Sequence, residues 1–177
     1  MPEPQRMRIP VFVSTPTALS DDQLASRRFV EKALRNNGLE PRTLGATDYP
    51  NDFPLKEVHA IGRHCSGGVI LGFEQIRVTT GINKPGTPKE QKITEPLGIP
   101  TPWNQLEAGL LFGLGLPLII FREEGVSGGI FDTGVTDVFL QPMPDGGPRG
   151  GARRNGFDQV LEKWRAAVVN HYYRDLR

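Results

Sequence analysis

One cysteine, Cys65, stands in the whole chain, so no disulfide can form within it, and no group of Cys and His has the spacing of a zinc site. A reducing compartment is the expected setting. An excess of one charge is also missing: 21 Lys and Arg against 20 Asp and Glu leave a net charge of +1. That balance offers no broad basic surface for a phosphate backbone, which disfavours nucleic acid as a partner. No apolar run approaches the roughly 18 residues that cross a bilayer. The opening MPEPQRMRIP also lacks the apolar stretch of a signal peptide. A cytoplasmic protein with no membrane partner is therefore expected. Neither the phosphate-binding loop G-x-x-x-x-G-K-[ST] nor the nucleophile elbow G-x-S-x-G occurs, so the P-loop and α/β-hydrolase chemistries lack their key residues.

What the chain does have is an ordinary globular composition, 37% hydrophobic and 23% charged over 177 residues. This is enough for one sizeable core and too little for two comfortable domains, so residues 1–177 read as a single α/β domain. The run Ile9 to Ser14, IPVFVS, is β-branched and aromatic and stops at Thr15, Pro16 and Thr17, as a buried strand does. Ser20 followed by Gln23 has capping-box spacing, and Leu24, Val30, Ala33 and Leu34 recur at helical intervals until Gly38. A weak strand at Glu40 to Leu44 follows, then a polar loop through Asp48, Tyr49 and Asn51, and a helix from about Pro54 to His64. Gly67 and Gly68 open the third strand, VILGF. Thr101 and Pro102 start another helix, carried on by Leu106, Leu110 and Leu114, and PLIIF follows Gly115 as the fourth strand. A fifth strand is predicted at Asp137 to Leu140. A last helix is predicted from Phe157 to about Arg174, with Val160, Leu161, Trp164 and Val168 on one face.

Strands alternating with helices imply right-handed crossovers and a parallel sheet covered on both faces. The fold class is thus a flavodoxin-like, doubly wound parallel sheet of about five strands, order 2-1-3-4-5, in three α/β/α layers. Two segments break the pattern. Residues 74–102 carry five prolines and few apolar side chains, so they read as an insertion without a core element: a lid, a partner surface or a disordered loop. Residues 142–156 read as a flexible Gly/Pro/Arg linker, whose Arg149, Arg153 and Arg154 are more simply solvated than bound to phosphate.

In such sheets a ligand sits at the carboxyl ends of the strands, beside the switch point between strands one and three. That rule selects the loops after Ser14 and Phe73 and the helix start at Trp103. Glu107 is the most informative residue there, one turn into a helix whose N-terminus faces the cleft, with Trp103 four positions earlier on its face. Ala108, Gly109 and Gly113 are small enough to let that helix approach the sheet. The plain alternative for Glu107 is a solvated carboxylate well placed for the helix dipole, and for Trp103 a packed core ring.

The segments IPVFVS, VILGF, WNQLEAG and GLPLIIF together resemble the superfamily that joins nucleoside 2-deoxyribosyltransferases to TIR domains, over most of residues 8 to 140. In the transferase branch the start of this helix supplies a carboxylate that attacks the anomeric carbon, which the resemblance places at Glu107. In the TIR branch a Trp-x-x-x-Glu motif carries the glutamate needed to cleave NAD, which places it at Trp103 and Glu107. The chain has Ile99, Pro100, Thr101 and Pro102 where transferases carry acidic residues, and Asn104 where TIR domains carry cysteine, so the branch stays open. The resemblance implies N-glycosidic cleavage or transfer on NAD or another nucleotide or nucleoside. No cofactor is implied, NAD entering only as a substrate, and no metal. Glu107 is the candidate catalytic residue, with Ser14, Thr15, Phe73, Trp103 and Asn104 as candidate substrate-binding residues: Asn104 for a ribose hydroxyl or phosphate, Trp103 or Phe73 for stacking on the base. The rival readings are a non-catalytic nucleotide-binding sensor and a TIR-like signalling or assembly module, and a homo-oligomer suits either.

Two further features read as structural. His64 and Cys65 are adjacent and so point apart, which leaves Cys65 as a core residue. IFDTG, Ile130 to Gly134, matches the aspartic protease signature, but that chemistry needs two such carboxylates side by side. In an α/β chain, Asp132 is read as part of a turn near the cleft.

Overall fold

The computed structural model describes residues 8–45, 53–135, 139–145 and 151–175, the last with side chains from 156 to 174. The expected loop through Asp48, Tyr49 and Asn51 lies outside the described residues, as do Asp137 and Arg149. A five-stranded sheet runs through the middle: β1 (Ile9–Ser14), β2 (Leu39–Arg42), β3 (Gly68–Gly72), β8 (Leu118–Arg122) and β9 (Phe139–Pro142). Its order is β2-β1-β3-β8-β9 and every neighbouring pair is parallel. Helices α1 (Asp21–Asn36) and α4 (Gly151–Asp175) cover one face, and α2 (Pro54–Arg63) and α3 (Pro102–Gly113) the other. This is the three-layer, flavodoxin-like arrangement predicted from the sequence.

Strand alternation explains why both faces are dry. Val11, Val13, Val69, Leu71, Ile119 and Phe121 point to the α1/α4 side, where they meet Val30, Leu34, Leu161 and Trp164. Phe12, Ile70, Leu118 and Ile120 point the other way, onto Val58, Ala108, Leu111 and Phe131, and Cys65 is buried with them. The central strands are therefore continuous apolar runs, as parallel strands covered on both faces must be.

Helix α1 starts where its capping signal lies. The Ser20 hydroxyl accepts from the Gln23 N–H at 3.3 Å and the Gln23 side chain accepts from the Ser20 N–H at 3.1 Å. Ser20→Ala is expected to cost about 1 kcal/mol of unfolding free energy. A denaturation midpoint unchanged by that substitution would show that the box adds nothing.

Helix α3 departs from the expected facing. Asn104, Ala108 and Leu111 point inward, whereas Leu106 is exposed, and Gly109 and Gly113 stand in open space. Of the small residues, Ala108 alone serves the close approach to the sheet. The helix is apolar on almost every side, so apolar spacing could not select its buried stripe. Helix α4 begins at Gly151 rather than Phe157, inside what reads as a linker, and Phe157 joins its inward face. Side chains of Arg153 and Arg154 lie outside the described residues.

The insertion is ordered as an arm. Strands β4 (Ile76–Val78) and β7 (Leu97–Ile99) pair antiparallel, and further out β5 (Gly81–Asn83) pairs with β6 (Gln91–Ile93). Isoleucine and valine at the paired positions favour strands, while Pro85 and Pro88 are confined to the turn at the tip. Its base is fastened: the Gly98 N–H donates to the Gly125 carbonyl at 2.9 Å and the Gln75 N–H to the Ile99 carbonyl at 3.0 Å. Among the described residues no helix is long and apolar enough to cross a membrane.

Candidate functional site

Strand β1 ends at Ser14 and strand β3 at Gly72, with their following segments leaving on opposite sides: α1 on one face, the arm and α3 on the other. The switch point lies between them, where sheets of this order hold ligands. The two lips are stitched together, because the Gln75 side chain donates to the Ala18 carbonyl and the Gln23 side chain to the Glu74 carbonyl, both at 3.2 Å.

Helix α3 enters the switch point by its N-terminus. The Thr101 hydroxyl accepts from the Asn104 N–H at 3.3 Å, capping the helix. The Asn104 side chain then crosses to β1, donating from Nδ2 to the Ser14 hydroxyl at 2.8 Å. Glu107 lies one turn further along α3, and Ser14 favours its ionised form. Burial drives the Glu107 carboxyl up from its ordinary range to about 7, and Ser14 opposes that rise. Among the described residues no charged side chain contributes to the shift, so this carboxylate is desolvated with no counter-ion among them.

The structure brings Ser14, Asn104 and Glu107 together, but Ser14 and Asn104 are each 1% exposed and bonded to one another. They are spent within the protein rather than held out to a ligand. Phe73 does not offer a stacking face, since its ring is wholly buried with Val11, Val13 and Phe121, although the residue borders a cavity. Trp103, in the first turn of α3, is 43% exposed and so has ring surface open to solvent. Thr15 is half-buried, its hydroxyl turned to the Pro16 carbonyl at 3.4 Å.

Several neighbouring residues escaped the sequence reading. The Glu123 carboxylate accepts from the Glu74 N–H at 2.7 Å and from the Gln23 side chain at 2.8 Å, while Glu74 pairs with Arg77 at 2.6 Å. Gln105 on α3 pins the turn that carries Asp132, donating to the Gly128 carbonyl at 2.9 Å and accepting from the Ile130 N–H at 3.1 Å. Asp132 accepts from the Gly128 N–H at 2.7 Å, the turn role expected of it. Position just past a buried strand marked Glu123 as a carboxyl-edge residue; its partners come from segments distant in sequence.

A groove of about 890 Å³ opens on the side of α1 and the end of β9, walled by Gln23, Glu74, Arg77, Glu123, Ser127 and Met143 among others. Glu107 is not among its walls. Volume thus points to one side of the carboxyl edge and the desolvated carboxylate to the other. The carboxylate is the stronger pointer to chemistry, because a desolvated acid with a raised pKa is the kind of perturbed group that active sites carry. Compared with known protein families, curated proteins and solved structures, the chain matches none.

Proposed function

We propose that the protein cleaves or transfers an N-glycosidic bond of NAD or another nucleotide or nucleoside, with Glu107 at the anomeric centre. The observation that carries this reading is the Glu107 carboxyl itself: desolvated, without a cationic partner among the described residues, and carried on the helix that enters the switch point. Breaking the bond between the anomeric carbon and the base leaves the electron pair on the base: the cationic nicotinamide of NAD departs neutral, whereas a purine or pyrimidine takes up a proton from water. Positive charge is left on the sugar ring. A carboxylate in a dry setting stabilises such charge strongly, or captures it as a glycosyl ester that water or a second base then resolves. Trp103 supplies the exposed ring against which a base can stack.

The test is to incubate the protein with NAD, NADP and a panel of nucleosides and nucleotides and to follow free base by chromatography. Base release by the wild type and not by Glu107→Gln supports the reading and names the substrate. A ligand retained without base release from either would instead support a binding module. The mechanism needs the ionised carboxylate, so turnover should rise with pH and reach half its plateau near the Glu107 value of about 7. A rate that falls as pH rises through that range would make the protonated form the active one and remove the nucleophile assignment.

A further inference from the structure

We propose that the outward face of α3 is a homodimer interface, where α3 of one copy packs antiparallel on α3 of another about a two-fold axis beside Gly109 and Leu110, seating Leu106 of each copy over Gly113 of the other. The inference stands apart from the chemistry of Glu107.

A helix on the surface of a monomer shows polar side chains to water. Helix α3 does not. Its inward stripe is Asn104, Ala108 and Leu111, and the opposite stripe, recurring at Leu106, Gly109, Leu110 and Gly113, has no polar side chain at all. Glu107, the only charged residue of the helix, lies three and four positions from Asn104 and Leu111 and is desolvated. A helix that is apolar all round belongs in an interior, and in the single chain only one side of α3 has found one.

Helix α2 extends the face. A Cβ at Gly62 would lie 3.1 Å from side-chain atoms of both Leu111 and Leu114, so the two helices lie side by side. Leu55, seven positions before Gly62, shares its side of α2. Leu55, Trp103, Leu106 and Phe112 are each between 43% and 59% exposed. At about 200 Å² for a large apolar side chain, they leave roughly 400 Å² of apolar surface in the open. A stable interface takes about 800 Å² from each partner, a little over half of it apolar. This face therefore supplies close to what a dimer buries.

Shape selects a second copy as the occupant. Gly109 and Gly113 have nothing among the described residues within 4 Å of where a Cβ would stand, and neither has a positive φ. Neither a turn nor the sheet requires glycine there, and glycine weakens a helix. What glycine provides is a hollow for a close neighbour. Leu106, the knob, and Gly113, the hollow, are seven positions apart on one face, symmetric about the bond between Gly109 and Leu110. Turning a second copy end for end about that point brings each Leu106 onto the other copy's Gly113, the reciprocal contact that a two-fold interface requires. An uncharged face also has nothing with which to select a charged partner.

The test is sedimentation of the whole chain over a dilution series, for wild type, Leu106→Ala, Gly113→Leu and the two combined. Wild type should approach twice the 19.6 kDa of one chain at the concentrated end. Leu106→Ala removes the knob and should weaken association by about tenfold or more. Gly113→Leu fills the hollow, sets knob against knob, and should leave single chains. The combined variant exchanges knob and hollow and should dimerise again. Both positions face solvent in the single chain, so each variant should keep the wild-type circular dichroism spectrum. A wild type that sediments as one chain at every concentration overturns the proposal and assigns the face to a different protein. A dimer indifferent to Gly113→Leu, or a combined variant that stays a single chain, overturns the antiparallel pairing of α3.

Discussion

Glu107→Gln is expected to lower base release by about three orders of magnitude or more while leaving the fold intact and, above neutral pH, more stable. The kinetic loss follows because glutamine can neither carry the negative charge that faces the sugar cation nor form a glycosyl ester. The gain in stability follows from the pH linkage of a raised carboxyl. Folding lifts Glu107 from 4.5 to about 7, so between those values the native state binds more protons than the unfolded one. Its contribution is fully present below the lower value and is lost as pH rises through the upper. Glutamine is neutral throughout and never incurs that loss, so by pH 8 the variant should exceed the wild type by about 1–2 kcal/mol. Denaturation at pH 4 and pH 8 measures this. Equal destabilisation at both would mean that the carboxyl is a structural member and would remove the argument for function.

Gly72→Ala is expected to be among the most damaging single substitutions in the sheet. A Cβ at Gly72 would lie 2.2 Å from Phe131 Cε1 and 2.8 Å from two other atoms of that ring. Phe131 is itself wholly buried in the core on the α2/α3 side and cannot swing to solvent. Overpacking at so close an approach should cost about 3 kcal/mol, read as a fall in the denaturant midpoint. Adding Phe131→Leu should recover part of the loss, because the smaller side chain frees the space the new methyl needs, and the two changes will not add. An unperturbed Gly72→Ala protein would show that β3 and the Phe131 turn are not in contact. The position matters for the site, since Gly72 ends the strand beside Ser14 and the Phe131 turn is the one Gln105 holds from α3.

Much of the fold was legible because each local signal has one physical meaning. IPVFVS, VILGF and PLIIF have no polar alternation, and only a strand covered on both faces tolerates that. Ser20 with Gln23, and Thr101 with Pro102, are start signals that bond to the backbone within a few residues, and both helices begin where they say. The arm was illegible for the converse reason. Its ribbons are three residues each, pair across up to twenty-odd positions and bury almost nothing, so no periodicity records them.

At the site, the sequence by itself pointed to a carboxylate one turn into α3 at the switch point, because the helix start is a local reading and the alternation of strands with helices restricts the strand order. It also determined that Ser14 and Asn104 accompany it. What only the tertiary structure decided is how those groups are spent. Whether a serine faces a ligand or a neighbouring amide depends on a contact across 90 positions. Whether a glutamate titrates as an ordinary surface acid or near 7 depends on how much water the packed helix and sheet exclude from it. Burial and hydrogen-bond direction are properties of the assembled layers, and no spacing along one chain encodes them.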